Sequence, residues 1–434
     1  MKQPFVFIGI AAFGLALAQS AFPQTPAADG KAKVIAVYTL EPTNLTAMGY
    51  SSDALTASQK NGLKRTDLPA IGSGLVWLGG TQFMGITDRG PNEDHTDKDG
   101  KADGKTFPLP SFAPTMVRFT LEGNAIKPLE YIAITATNGK PITGLSNEVK
   151  DDAGFVSADS RDALPFDPNG LDTEALQRLP DGRWIVAEEY SPSIAVLSAK
   201  GQVLMRYTPQ GKRLSGAGYP MQDILPAVFE NRRGNRGFEN LALSGDGKTA
   251  WAILQSPMGA TSDKRYDDSR IARAVRLDIS DPLNAKVTGL YAVPMSAKSD
   301  YKDTKRQRDL KYSDAAWLSA EKLLLLERAD KLVKLFVVDF ALATNLLERP
   351  EGATLTPESV ETNLETLGIK TPPRVEVFSS AGLIEDDKLE GLAVLSPGTV
   401  AITNDNDFGI GDNKTGAPSK LWIVQLAQAL PFNR

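Results

Sequence analysis

The feature that most constrains this chain is a phrase that recurs five times. Its clearest copies span residues 174–188, 239–255 and 390–404; a fourth spans 314–327 and a fifth 73–88. Most copies read as strand, tight turn, strand, with polar residues at both ends. Four copies begin on an acid (Glu174, Glu239, Asp314, Glu390), and the first has Ser73 in that place. Such repetition constrains the architecture before any single residue is interpreted.

The copies start 65, 75 and 76 residues apart from Glu174 onward, and the step from Ser73 to Glu174 is 101. Each interval holds the two motif strands, further apolar β segments such as 193–197 or 334–339, and longer loops. That is the content of a four-stranded propeller blade enlarged by insertions. The expected fold is therefore all-β, a β-propeller of five or six four-stranded blades. Six is favoured, because the first interval holds an extended loop, 90–114, and room for a degenerate blade at 129–137. Residues 34–38 and 421–424 both read as strands, and pairing them in one blade would protect two exposed edges. Several β-sandwich domains would not explain the period. Helical pattern is scarce, with short rim helices expected at 221–229 and 357–367, the second announced by Thr356, Pro357 and Glu358.

The N-terminus reads as an export signal over residues 1–21. Lys2 precedes an apolar run, 5–18, with a small-residue cleavage site around Ala18 to Ala21. A retained anchor is the alternative, but the run is short for a membrane span and no second stretch approaches ~20 apolar residues. Residues 22–33 read as a flexible leader and 34–434 as a single domain. The absence of Cys removes disulfides, thiol catalysis and zinc–thiolate sites. Together these predict a periplasmic or secreted protein, off the membrane once the signal is removed, and a monomer. A formal net charge of -5 argues against nucleic acid as a partner, which normally demands a basic excess.

In a propeller, equivalent positions of the innermost strands converge on a central channel. Glu174, Glu239, Asp314 and Glu390 would then form part of a ring. Like charges brought together are protonated, paired with Arg or Lys, or bound to a cation. An oxygen-only donor set suits a hard ion, Ca²⁺ above all. Asp405 and Asp88 extend the candidate ligand set. The competing reading is structural: each acid accepts backbone N–H bonds within its own turn. The second strand of each copy also ends in polar groups, among them Asp88, Glu189 with Tyr190, Gln255, Arg328 and Asp405. These face the same channel mouth if the register is right, since a one-residue slip reverses the facing.

Arg89 and Asn92 share one turn, and the Arg89 guanidinium suits a bidentate grip on phosphate or carboxylate, or an ion pair with Asp88 or Glu93. Arg232, Arg233 and Arg236 arrive just before Glu239 and offer either an anion-binding wall or neutralisation of nearby carboxylates. Segment 94–104 has a calcium-loop composition but not the EF-hand spacing, so it reads as solvated loop. It carries His95, the only His, which argues against a Ser-His-Asp hydrolase. No phosphate-binding Gly-x-x-x-x-Gly-Lys loop occurs.

Several phrases resemble, in order, the phytase-like family described as having esterase-like activity of phytase. They are Asp88-Arg-Gly-Pro-Asn92, Asp172-x-Glu174, the run 179–192, Asn235-Arg-Gly-Phe-Glu239 and Gln255-Ser-Pro257. The match spans about 72–422. The resemblance implies an exported β-propeller whose recurrent acids carry phosphoester hydrolysis of a small anionic substrate. On that reading Glu189 is the base, Arg232, Arg233 and Arg236 stabilise transferring charge, and Arg89, Asn92 and Tyr190 hold substrate. A lactonase or carboxyl-ester hydrolase on the same scaffold, and a non-catalytic binding propeller of the cell envelope, remain open.

Overall fold

The computed structural model describes residues 21–148, 152–386, 388–411, 413 and 415–432. The expected signal, residues 1–21, lies outside them except for its last residue.

The chain is built from strands, and its repeat units are antiparallel four-stranded sheets. The innermost strands are Gly74–Gly79, Thr173–Arg178, Phe238–Leu243, Lys311–Ser319 and Leu389–Ser396. From each, three further strands step outward in sheet order, and the second unit carries one more, Met221–Leu225, at its outer edge. The innermost strands pack side by side around an axis, the first against the last, which is the arrangement of propeller blades. Apolar clusters fill the spaces between neighbouring sheets. One such cluster joins Ile185 and Val196 to Leu241 and Ala252; another joins Phe83 and Phe119 to Ala401 and Ile423, closing the circle. Each side chain named here is essentially excluded from water. Burial of this kind contributes roughly 1.5–3 kcal/mol per large side chain, so the interfaces rather than any one sheet hold the ring together.

Closure uses both ends of the chain. Lys33–Leu40 pairs antiparallel with Lys420–Gln425, in register Val34 with Val424 and Tyr38 with Leu421, as the outermost strand of the last unit. A short parallel contact, Thr39 with Ala125 and Leu40 with Ile126, ties that edge to the first unit.

Four expectations are corrected here. Residues 129–137 do not form a blade of their own; most belong to Ala125–Ala133, the outer strand of the first unit. The leader is anchored at its start: Phe22 is buried against Trp77 and Phe83, and the Pro23 carbonyl accepts hydrogen bonds from Ser396 and Thr399. The helix expected at 221–229 is instead a strand, Met221–Leu225, paired in parallel with Val203–Pro209, followed by one 3₁₀ turn. That expected at 357–367 is a single 3₁₀ turn, Thr356–Glu358, fixed by Glu358, whose carboxylate forms a fully buried pair with Arg273 at 2.7 Å.

Candidate functional site

The inner strands share a local irregularity that builds the site. In the antiparallel register, Thr173 and Ala175 pair with Glu188 and Ala187, leaving Glu174 as a bulge. Phe238 and Asn240 do the same around Glu239, and Leu389 and Leu392 around Glu390 and Gly391. A bulge turns an extra side chain out of the ladder, here toward the axis. In the fourth unit the bulged residue is Ser313, between Tyr312 and Asp314. The sequence alignment of Asp314 with the three Glu residues is therefore off by one. Asp314 is not part of the cavity lining: its two oxygens accept the backbone N–H groups of Ala315 and Leu392, both at 2.7 Å. It staples two inner strands together.

The ends of the second strands supply the rest. Asp88, Glu189, Gln255, Arg328 and Asp405, one from each unit, line the same cavity of about 420 Å³ as Glu174, Glu239 and Glu390. Candidate ligand oxygens of Glu174, Glu239 and Glu390 lie within 4.8 Å of one another, and so do those of Asp172, Glu174 and Glu189, so Glu174 belongs to both groups. All five acids are buried. The lining carries ten carboxylates against six Lys or Arg side chains. That surplus must be met by protons or a cation.

The cations present are specifically placed. Arg328 Nη2 contacts Glu390 directly and lies 3.6 Å from Glu239, while its Nε donates to Ser313 at 2.7 Å. Arg89 donates its backbone N–H to Asp172 at 3.1 Å, sets Nε 3.4 Å from the same carboxylate, and donates Nη1 to the Tyr190 hydroxyl. That hydroxyl in turn donates to the Gly144 carbonyl, so Tyr190 braces Arg89 from behind and is not in the lining. Arg89 pairs with neither Asp88 nor Glu93 among the described contacts. Asn92 lines the cavity and is held by its own turn, donating to the Gly90 carbonyl. Lys388 reaches Asp405, at 3.5 Å, and Asp407.

Electrostatics follow from this crowding. Burial first, then the charges of Asp172, Glu189, Glu239 and Glu390, push the Glu174 carboxyl well above the usual range. Burial, Asp172 and Glu239 do the same to Glu189, and burial, Asp405 and Asp172 to Asp88. Burial also raises Glu390 and Asp405, against Arg328 and Lys388. Lys311, which sequence reading passed over, lines the cavity and is brought down to about 7 by burial and by Arg236 and Arg328. Its signal was its place two residues before Ser313, at the start of an inner strand.

The three expected Arg residues divide. Arg236 lines the acidic cavity and donates to Gln255 at 2.5 Å, while Gln255 donates to Glu189 at 3.0 Å. Arg232 and Arg233 face a neighbouring cavity instead, which Arg236 also borders. The turn is locked to the base candidate, since a Cβ on Gly237 would sit 2.2 Å from the Glu189 carbonyl oxygen. The 94–104 segment is a hairpin, not a solvated loop. His95 is buried, stacks on Phe155 at 3.8 Å, bonds Asp103 at 2.5 Å and is not part of the cavity lining, although its neighbour Asp94 is.

A cation fits this donor set. Glu239 Oε2 is buried and has no hydrogen-bond partner among the described residues, and Asp172 Oδ2 has only the Arg89 charge. The donors are all carboxylate oxygens, the chemistry of Ca²⁺ or Mg²⁺ sites rather than of thiolate or imidazole metals.

Comparison with known proteins places the chain. The family model described as phytase-like, esterase-like activity of phytase, matches residues 66–408. The chain belongs to this phytase-like family. An uncharacterized secreted protein of Arthroderma benhamiae is 25% identical over 202 residues, a match covering 40% of this chain and 39% of that protein. The match thus spans about two fifths of the relative's length. Among solved structures, a luciferin-regenerating enzyme aligns over 82% of this chain and 92% of its own, at 10% identity and TM-score 0.35. The β-propeller domain of Cps50 from Myceliophteria thermophila aligns over 83% of each chain, at 11% identity and TM-score 0.31. Among the described residues of this phytase-like chain, no helix is long and apolar enough to cross a membrane.

Proposed function

We propose that this phytase-like protein is an exported, five-bladed β-propeller that hydrolyses phosphate esters with a divalent cation, Ca²⁺ in the first instance, at the mouth of its channel. The observation that carries the proposal is the convergence of Glu174, Glu239 and Glu390 within 4.8 Å, with a buried Glu239 oxygen left unpartnered. Those three Glu residues would hold the ion, with Asp172 and Glu189 adjoining through Glu174. A bound cation supplies a grip on phosphoryl oxygens and lowers the pKa of an attacking water.

The chain's own groups do the rest. Glu189, oriented by Gln255, takes the proton of the attacking water. Arg236 and Arg328 offset charge on the transferring group from the wall and from the axis. Arg89 and Asn92, both in the cavity lining, hold the substrate's anionic side, with Arg89 held in place by Tyr190. Asp88 and Asp405 are further acids of the same cavity. Asp314 acts in this scheme only as a staple. Export is supported by the N-terminal pattern and by a relative described as secreted. The test is turnover of p-nitrophenyl phosphate, phytate and a lactone panel, with chelator and with added Ca²⁺. Calcium-dependent phosphate release is expected. Turnover of lactones alone would replace the phosphoester reading, and no turnover with bound metal would leave a binding propeller.

A further inference from the structure

Beside the acidic cavity lies a second one of about 710 Å³ with the opposite character. Arg232, Arg233, Arg236, Arg265 and Arg308 line it, and among the described residues its lining contains no carboxylate. Thr261 and Ser262 add hydroxyls. Five guanidinium groups around one space repel one another unless an anion joins them.

Arg233 points to such an anion independently. It is only 8% exposed, and two of its nitrogens are used: Nε donates to the Gly259 carbonyl at 3.1 Å and Nη2 to the Tyr266 carbonyl at 2.5 Å. Those bonds fix the side chain rigidly. Its Nη1 is buried with no partner among the described residues. An orphaned buried charged donor is costly, and guanidinium geometry suits a tetrahedral or planar oxyanion. Burial above all, then Arg236 and Arg308, bring this guanidinium down to about 10, with Asp267 acting in the opposite direction. Arg265 and Arg308 have carboxylate partners, Asp263 and Asp267, that lie outside the lining. Arg236 borders both cavities.

We infer that the five-arginine cavity is an anion subsite, which takes a second phosphate (or equivalent oxyanion) of a substrate whose reacting phosphate sits in the acidic cavity. The substrate class is thus a small molecule carrying at least two anionic groups, with Arg236 as the shared wall. This rests on the hydrolytic reading for its second half, but the anion site itself does not.

The experiment is calorimetric titration of inorganic phosphate, then of phytate, into chelator-treated protein and into Arg265→Gln/Arg308→Gln and Arg233→Lys variants, with Ca²⁺ titrated in parallel. Phosphate should bind without metal. The double variant should weaken that binding by about tenfold or more, the loss expected when charge-assisted hydrogen bonds are removed, and leave Ca²⁺ affinity unchanged. The two exposed-side substitutions guard against misfolding of the buried one. Phosphate binding that vanishes with chelator, or that neither variant weakens, overturns the subsite. Phosphate binding that behaves as expected in a protein with no phosphatase turnover preserves the subsite and overturns the hydrolytic reading instead.

Discussion

The Arg328 guanidinium lies between two carboxylates contributed by different inner strands, touching Glu390 and standing 3.6 Å from Glu239. It is 1% exposed in its side chain and tied to Ser313 of a third strand segment. One cation thus holds together acids that would otherwise repel. Arg328→Gln should destabilise the metal-free protein by roughly 3–5 kcal/mol, the range for removing one partner of a buried pair. Added Ca²⁺ should recover part of the loss by taking over the neutralising charge. Thermal unfolding of the variant with and without the ion checks this, and an unaltered Tm in both conditions contradicts it.

The raised carboxyls set the pH dependence. Glu174, Glu189 and Asp88 are pushed above their ordinary values of 4.5, 4.5 and 3.8 in the folded protein. Folding therefore favours their protonated forms. Their contribution is full below the unfolded values and is lost as pH rises through the folded ones. In chelator, urea stability should fall as pH rises above the ordinary carboxylate values. Saturating Ca²⁺ should flatten the slope, and ion binding should release protons, visible as a buffer-dependent enthalpy. A metal-free stability that instead increases with pH there would contradict the assignment.

How far the sequence carries the structure is clearest at Asp314 and Glu239. The period, the inner strands and the closure between 34–38 and 421–424 follow from apolar pattern alone. Glu174, Glu239 and Glu390 meet because their copies align without a gap. Asp314 is misread because a bulge at Ser313 shifts the phase by one residue, and single-sequence alignment cannot see which residue the ladder leaves out. Arg232 and Arg233 adjoin Glu239 in sequence, but the turn before Gly237 directs them into the next cavity. At 356–358 Pro357 does sit in the first turn, but the N-cap is Leu355 rather than Thr356, no side chain caps the turn, and Glu358 is drawn inward by Arg273, a partner 85 residues away. Local propensity does not report such long-range pairs.

His95 offers a clean exclusion. Its ring stacks on Phe155 and hydrogen-bonds Asp103 through Nδ1, and it does not line the acidic cavity. His95→Ala should cost about 1–3 kcal/mol for the lost buried hydrogen bonds and stacking, with kcat for phosphate release within about twofold of the parent. A stable variant lacking turnover would bring His95 back as a catalytic group.

Gln255 couples Arg236 to Glu189 and has no charge of its own. Gln255→Leu should leave Ca²⁺ affinity near the parent value and lower kcat by about 10²-fold, the scale for a misplaced acid–base group. The acidic limb of the pH–rate profile should move with it. An unchanged profile alongside the lower kcat would assign Gln255 to packing rather than to positioning.

The proposed cation site rests on Glu239, with Glu174 and Glu390. Isothermal titration of Ca²⁺ into chelator-treated parent and Glu239→Gln protein tests it most directly. One tight site per parent chain is expected, with an affinity at least about tenfold weaker in the variant, since a charged ligand becomes a neutral one while the side-chain shape is kept. Equal Ca²⁺ affinity in the two folded proteins, or no binding to either, would contradict it.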